Sequence, residues 1–128
     1  MELAEAMMTR TILTILAAAA LALAHDNHEK GKEITVTGLV VDTGCYMAHS
    51  SKGAEHETCA TACAKKGVPL AILDEASGKL YMAVAADHKN QNDKLMPFVE
   101  KKVKATGILM ENGGIKGLAI KTVAAATP

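Results

Sequence analysis

Five short segments rich in β-branched and apolar residues constrain the fold of this chain more than any other feature. Each is bounded by glycine, proline, asparagine or aspartate, which is the pattern of β-strands separated by turns. Glycines lie inside the first, fourth and fifth segments, where a strand that bends sharply or bulges needs a residue without a side chain. The segments span residues 34–41, 70–73, 79–84, 103–110 and 115–123, and the internal glycines are Gly38, Gly107 and Gly117.

One helix is expected among these strands, over about residues 54–66. Acidic residues in its first turns and Lys65 and Lys66 in its last suit the helix dipole, and Pro69 prevents it from continuing. The segment 102–108 is similar to the fourth strand of many OB-fold proteins. We therefore predict a mainly β fold with one short α-helix, a five-stranded OB-like β-barrel. Since OB folds usually have their helix between strands 3 and 4, a helix after strand 1 leaves the topology open.

The start of the chain has the pattern of an export signal. Arg10 precedes an apolar run that ends in Ala22-Leu23-Ala24, which is an A-x-A cleavage pattern, and the run is too short to span a membrane. We predict a signal peptide over residues 1–24, a flexible mature terminus over 25–32 and a single barrel domain over 33–124. The mature protein is then periplasmic or secreted, without a stable membrane anchor.

Charge and aromatic content argue against a nucleic-acid partner. The chain has 14 basic and 14 acidic residues and therefore no formal net charge. Its aromatic residues are Tyr46, Tyr81 and Phe98 alone. Grooves that bind single-stranded nucleic acid combine stacking aromatics with basic side chains, and this chain is poor in the former and balanced in charge.

Three cysteines and two histidines lie between positions 45 and 63. On a helical wheel, His56, Cys59 and Cys63 share one face within about 60°. Cys45 is expected in a loop after strand 1, from which it can reach that face, and His49 lies in the same loop. Three thiols and one imidazole suit zinc or copper(I). The spacing predicts a metal site of Cys45, His56, Cys59 and Cys63, with His49 as a substitute ligand.

Export leaves other interpretations of the same residues open, because disulfides form outside the cytosol. The first hypothesis is a metal- or redox-linked binding protein that works with a metal ion or a redox partner protein. The second is a disulfide-stapled OB-like module that binds a protein or small ligand without metal, in which Cys45 pairs with Cys59 or Cys63 and one thiol is left over. The third is an enzyme that uses one free thiol beside an acid–base pair of Asp42 with His49 or His56, although Asp42 also suits the end of the first strand.

The residues around the cysteines follow one spacing pattern, which consists of Gly38, Val40, Asp42, Cys45-Tyr46, Gly53, His56, Cys59-Ala60, Cys63, Gly67 and Pro69. In this pattern the chain resembles a group of small exported bacterial proteins whose activity is not established. Some members of that group occur beside cytochrome or redox modules. The resemblance covers about residues 34–123 and implies that Cys45, Tyr46, His56, Cys59 and Cys63 form a shared site.

Overall fold

The computed structural model describes residues 31–127, so the predicted signal peptide and most of the predicted flexible terminus lie outside the described residues. No helix in residues 31–127 is both long enough and apolar enough to cross a membrane. The elements in chain order are β1 (Glu33–Asp42), α1 (Thr43–His49), a 3-10 turn (Ala54–His56), α2 (Glu57–Lys65), β2 (Leu70–Asp74), β3 (Lys79–Ala83), a second 3-10 turn (Met96–Phe98), β4 (Lys102–Asn112) and β5 (Ile115–Ala125).

The five strands form a closed barrel in the order β1-β2-β3-β5-β4. Strand β1 closes it, since Glu33 to Leu39 pair with β4 and Leu39 to Asp42 pair with β2. Strands β3 and β5 run parallel, and the other neighbouring pairs are antiparallel. The mainly β, OB-like barrel is therefore confirmed. Both α-helices lie between β1 and β2, while the connection between β3 and β4 contains only the 3-10 turn.

The core shows how the end of β1 is buried on both sides. Inside the barrel, Val40 packs with the fully buried side chains of neighbouring strands and with Ala60 and Ala64 of α2. Val41, with its side chain on the opposite face, packs with Leu39, Leu73, Leu80 and Tyr46. The strand end therefore carries Asp42 into a fully buried position.

Close backbone approaches explain two of the strand glycines. A Cβ at Gly38 would lie 2.1 Å from the carbonyl oxygen of Leu73, and one at Gly107 would lie 2.3 Å from that of Ala119. The register of β4 against β5 shifts between Thr106 and Gly107, which marks a β-bulge or similar irregularity at this glycine. At Gly38 no register shift occurs, and the glycine instead allows β2 to approach where β1 passes from β4 to β2.

The prediction that Cys45 lies in a loop is wrong, because residues 43–49 form helix α1. Asp42 caps this helix, since its Oδ1 accepts a hydrogen bond of 2.8 Å from the Cys45 backbone N–H. Ser50, in the left-handed region with φ of 54°, ends the helix. An aspartate at the end of a strand favours both a turn and a helix N-cap. In this chain Asp42 forms the N-cap.

Asn92 holds the end of α2 against the barrel. Its side-chain N–H groups donate to the carbonyl oxygens of Ala64 and Val68 at 3.2 and 2.8 Å, and its Oδ1 accepts from the Leu70 N–H at 2.8 Å. The side chain is fully buried, so these bonds are shielded from competing water. The position of α2 relative to β2 is therefore set by one side chain from the connection between β3 and β4.

Candidate metal centre

The predicted site residues come from three consecutive elements at one end of the barrel. Cys45 lies in the first turn of α1, His56 ends the first 3-10 turn, and Cys59 and Cys63 lie on α2. Helix α2 turns Ala60 and Ala64 into the core, with exposures of 0% and 3%. The cysteines therefore lie at the border of the buried face, with Cys59 exposed and Cys63 half-buried.

Two groups of donor atoms contain thiols, and Cys45 belongs to both. The Sγ atoms of Cys45 and Cys59 and a ring nitrogen of His56 all lie within 4.8 Å of one another. In the second group, the Sγ atoms of Cys45 and Cys63 and a carboxylate oxygen of Asp42 also lie within 4.8 Å of one another. The structure thus places Cys45 close to both Cys59 and Cys63, but neither group brings Cys63 together with His56 and Cys59 as the helical wheel predicted.

No disulfide joins the three cysteines, all of which lie in the described part of the chain. The predicted staple between Cys45 and Cys59 or Cys63 is therefore not present in this structure. The Sγ atoms of Cys45 and Cys59 lie within 4.8 Å of each other. The three sulfur atoms are available as ligands in this state.

The environment of Cys45 keeps its thiol protonated. Partial burial raises its pKa to about 11, and the charge of Asp42 and the neighbouring Cys59 and Cys63 act in the same direction. A metal ion bound here must therefore displace a proton from Cys45, because only the thiolate is a ligand.

We expect Cys45 to react slowly with iodoacetamide in the metal-free protein. With a pKa of about 11, the thiolate fraction at pH 8 is roughly a hundredfold below that of an ordinary thiol, and it rises about tenfold per pH unit up to pH 10. Peptide mass spectrometry of protein alkylated in a chelator gives the rate at each cysteine. The exposed Cys59 is the internal comparison, and equal rates at Cys45 and Cys59 at pH 8 would contradict the expected protonation.

His56 is held by two buried carboxylates. Its Nδ1 lies 3.1 Å from Glu100 Oε1 and 3.6 Å from Asp42 Oδ2. Only the first of these distances is a hydrogen bond. A proton on Nδ1 donated to Glu100 leaves Nε2 unprotonated in the neutral ring, with its lone pair free for a metal. A carboxylate behind a histidine in this way orients the ring and raises its basicity as a ligand.

Glu100 is the site residue that the sequence analysis missed. Its second oxygen, Oε2, accepts a 2.7 Å hydrogen bond from the Gly53 N–H, so the side chain ties the start of the 3-10 turn to the barrel. Its backbone has φ of 57°, in the left-handed region, and its N–H donates to the carbonyl oxygen of Val40. No sequence signal marks Glu100, which lies between Val99 and Lys101 as an ordinary charged residue.

His49 does not join these groups in the described residues. It ends α1 and is exposed, with its side chain in the last turn of the helix. The predicted role of His49 as a substitute ligand is therefore not supported by its position. His25 and His28 lie outside the described residues.

No known protein family, curated protein or solved structure matches the chain. The chemistry of the site is therefore inferred from its own side chains.

Proposed function

We propose that this chain is a small exported metal-binding protein that holds one zinc or copper(I) ion through Cys45, His56, Cys59 and Cys63. The observation that carries the proposal is the convergence of two thiols and an imidazole nitrogen within 4.8 Å, with Cys63 on the other side of Cys45. Tetrahedral zinc needs donor atoms about 3.5 to 3.8 Å apart. Binding all four ligands to one ion therefore requires the side chain of Cys63 to turn toward those of His56 and Cys59, with which it shares no group.

The surroundings of the cluster support binding over simple burial of cysteines. Glu100 fixes the ring of His56 and leaves its outer nitrogen free, which is the arrangement that metal-binding histidines use. The left-handed backbone at Glu100 is unfavourable for a residue with a side chain. Such strain concentrates at functional sites, where the surrounding structure maintains it.

The partner that we propose is the ion itself, exchanged with a metal- or redox-handling protein outside the cytoplasm. The apolar start of the chain and its A-x-A pattern support export. Cys59 is exposed and therefore accessible to a donor or acceptor protein. Since ion exchange between proteins proceeds through shared ligands, an exposed thiol at the edge of the site suits it.

The proposal is tested by counting metal and thiols in the purified protein. We expect native mass spectrometry to show one bound zinc or copper ion per chain, three thiols protected from alkylation while it is bound, and three reactive thiols after denaturation in a chelator. We expect His56→Ala to weaken metal binding, because it removes the imidazole ligand. His88→Ala is the control, because His88 lies in the connection between β3 and β4 and is exposed. One reactive thiol and no metal would instead establish the disulfide-stapled module.

A further inference from the structure

A buried oxygen atom in the site has no partner within the protein. Asp42 is 0% exposed, and its Oδ2 is a buried side-chain atom without a hydrogen bond among the described residues. Its other oxygen, Oδ1, accepts from the Cys45 N–H. An unpaired carboxylate oxygen away from water is unfavourable, so this atom needs a cation or a donor that the protein itself does not supply.

His56 does not fill that need. Its Nδ1 is 3.6 Å from Asp42 Oδ2, beyond hydrogen-bonding distance, and the proton on that nitrogen is directed to Glu100 at 3.1 Å. One N–H group faces two carboxylates, and it donates to Glu100. Asp42 Oδ2 therefore receives no hydrogen bond from the ring.

The ion pairs of the two buried carboxyl groups also leave Asp42 in need of a cation. Asp42 and Glu100 are both buried, with exposures of 0% and 6%. Among residues 31–127, His56 is the only basic side chain that forms an ion pair with either of them. The nearest lysine in sequence, Lys101, pairs with Glu57. Even a protonated His56 balances only one of the two buried negative charges.

The position of the unpaired carboxylate is beside the thiols. An oxygen of Asp42 lies within 4.8 Å of the Sγ atoms of Cys45 and Cys63, which are two of the ligands in the proposed function. Cys45 follows Asp42 by three residues in a helix that Asp42 caps, so the two side chains cannot move far apart. An ion bound to Cys45 therefore has a carboxylate oxygen of Asp42 next to it.

We propose that Asp42 is itself a metal ligand and that its carboxylate raises the affinity of the site for zinc relative to copper(I). This inference rests on the proposed function, because it concerns the same ion, for which Asp42 is a fifth ligand beside the four of that proposal. Zinc sites can expand from four to five ligands. Zinc accepts carboxylate oxygen together with thiolate and imidazole. Copper(I) is a soft ion that takes thiolates and gains little from a carboxylate. Asp42 thus stabilises the bound zinc ion and leaves copper(I) binding to the sulfur atoms.

The test compares zinc and copper(I) affinities of the full chain and of Asp42→Asn, by competition with chromophoric chelators. Asparagine keeps an oxygen that caps α1 at Cys45 but lacks the negative charge. We expect zinc affinity to fall about 10- to 100-fold and copper(I) affinity to change by less than about threefold. Asp87→Asn removes the same charge from the connection between β3 and β4 and is expected to change neither affinity.

The possible outcomes separate the inference from the proposed function. Equal zinc affinity of Asp42→Asn and the unaltered chain, or an equal loss for both metals, would overturn the role of Asp42 and leave the metal site standing. If the unaltered chain binds neither metal, both the role of Asp42 and the proposed function are overturned. If Asp42→Asn does not fold, X-ray absorption of the zinc-loaded unaltered chain decides: at least two nitrogen or oxygen ligands are expected, and a shell with only one would contradict Asp42 as a ligand.

Discussion

Cys45→Ser is expected to lower the affinity for zinc on the order of a thousandfold, about 4 kcal/mol of binding free energy. Cys45 is the only thiol that belongs to both thiol-containing groups of donor atoms in the described residues, with His56 and Cys59 on one side and Asp42 and Cys63 on the other. Its loss removes one ligand and also separates the remaining ones. Serine keeps the size and the helix cap but is a poor ligand at neutral pH.

The matched controls are Cys59→Ser and Cys63→Ser, each of which removes one thiol from only one group. We expect each to weaken zinc binding less than Cys45→Ser, because the other outer thiol remains beside Cys45. Isothermal titration or chelator competition measures the three affinities on the same scale. If all three variants lose the same amount, Cys45 has no central position in the site.

Gly38→Ala is expected to lower the free energy of unfolding by about 3 to 4 kcal/mol, which is a large part of the stability of a domain this size. The new Cβ would lie 2.1 Å from the carbonyl oxygen of Leu73, which is backbone and cannot rotate away. Relief requires β1 and β2 to separate where Leu39 pairs with Leu73. Urea unfolding followed by circular dichroism measures the loss.

Gly117→Ala is the matched control, since it makes the same substitution inside a strand of the same barrel. A Cβ there would meet the Cγ2 atom of Val84 at 2.6 Å, and this is the end of a side chain that can shift. We expect a loss at least about 2 kcal/mol smaller than for Gly38→Ala. A loss at Gly38 of less than about 1 kcal/mol would show that β2 moves away freely.

The barrel was predictable because the sequence pattern of each strand lies within a few consecutive residues. Alternation of apolar residues, turn residues between segments and glycines within strands are all readable over a few positions. The structure confirms these strands, with β4 and β5 extending beyond the predicted ends. The order of the strands and the parallel pairing of β3 with β5 depend on contacts between distant segments, and no local pattern encodes them.

The closeness of His56 and Cys59 was predictable for a similar reason, because residues three positions apart lie on one face of a helix. Cys63 was predicted on the same face, but the structure groups it with Cys45 and Asp42. The conformation around Cys45 was not predictable, because Asp42 is compatible with both a turn and a helix cap. Only burial of the end of β1 beneath α1, with Tyr46 packed on Val41 and Leu73, distinguishes them.

The sequence by itself determined a five-stranded barrel and the location of a thiol-rich site, since both follow from spacing within short segments. The tertiary structure decided what surrounds that site. Glu100 reaches His56 across 44 positions because its backbone is joined to Val40 at the end of β1. Asp42, two residues further along β1, is fully buried, and one of its oxygens has no hydrogen-bond partner among residues 31–127. Whether a carboxylate is solvated, paired or available to a metal depends on burial, and burial is a property of the assembled barrel.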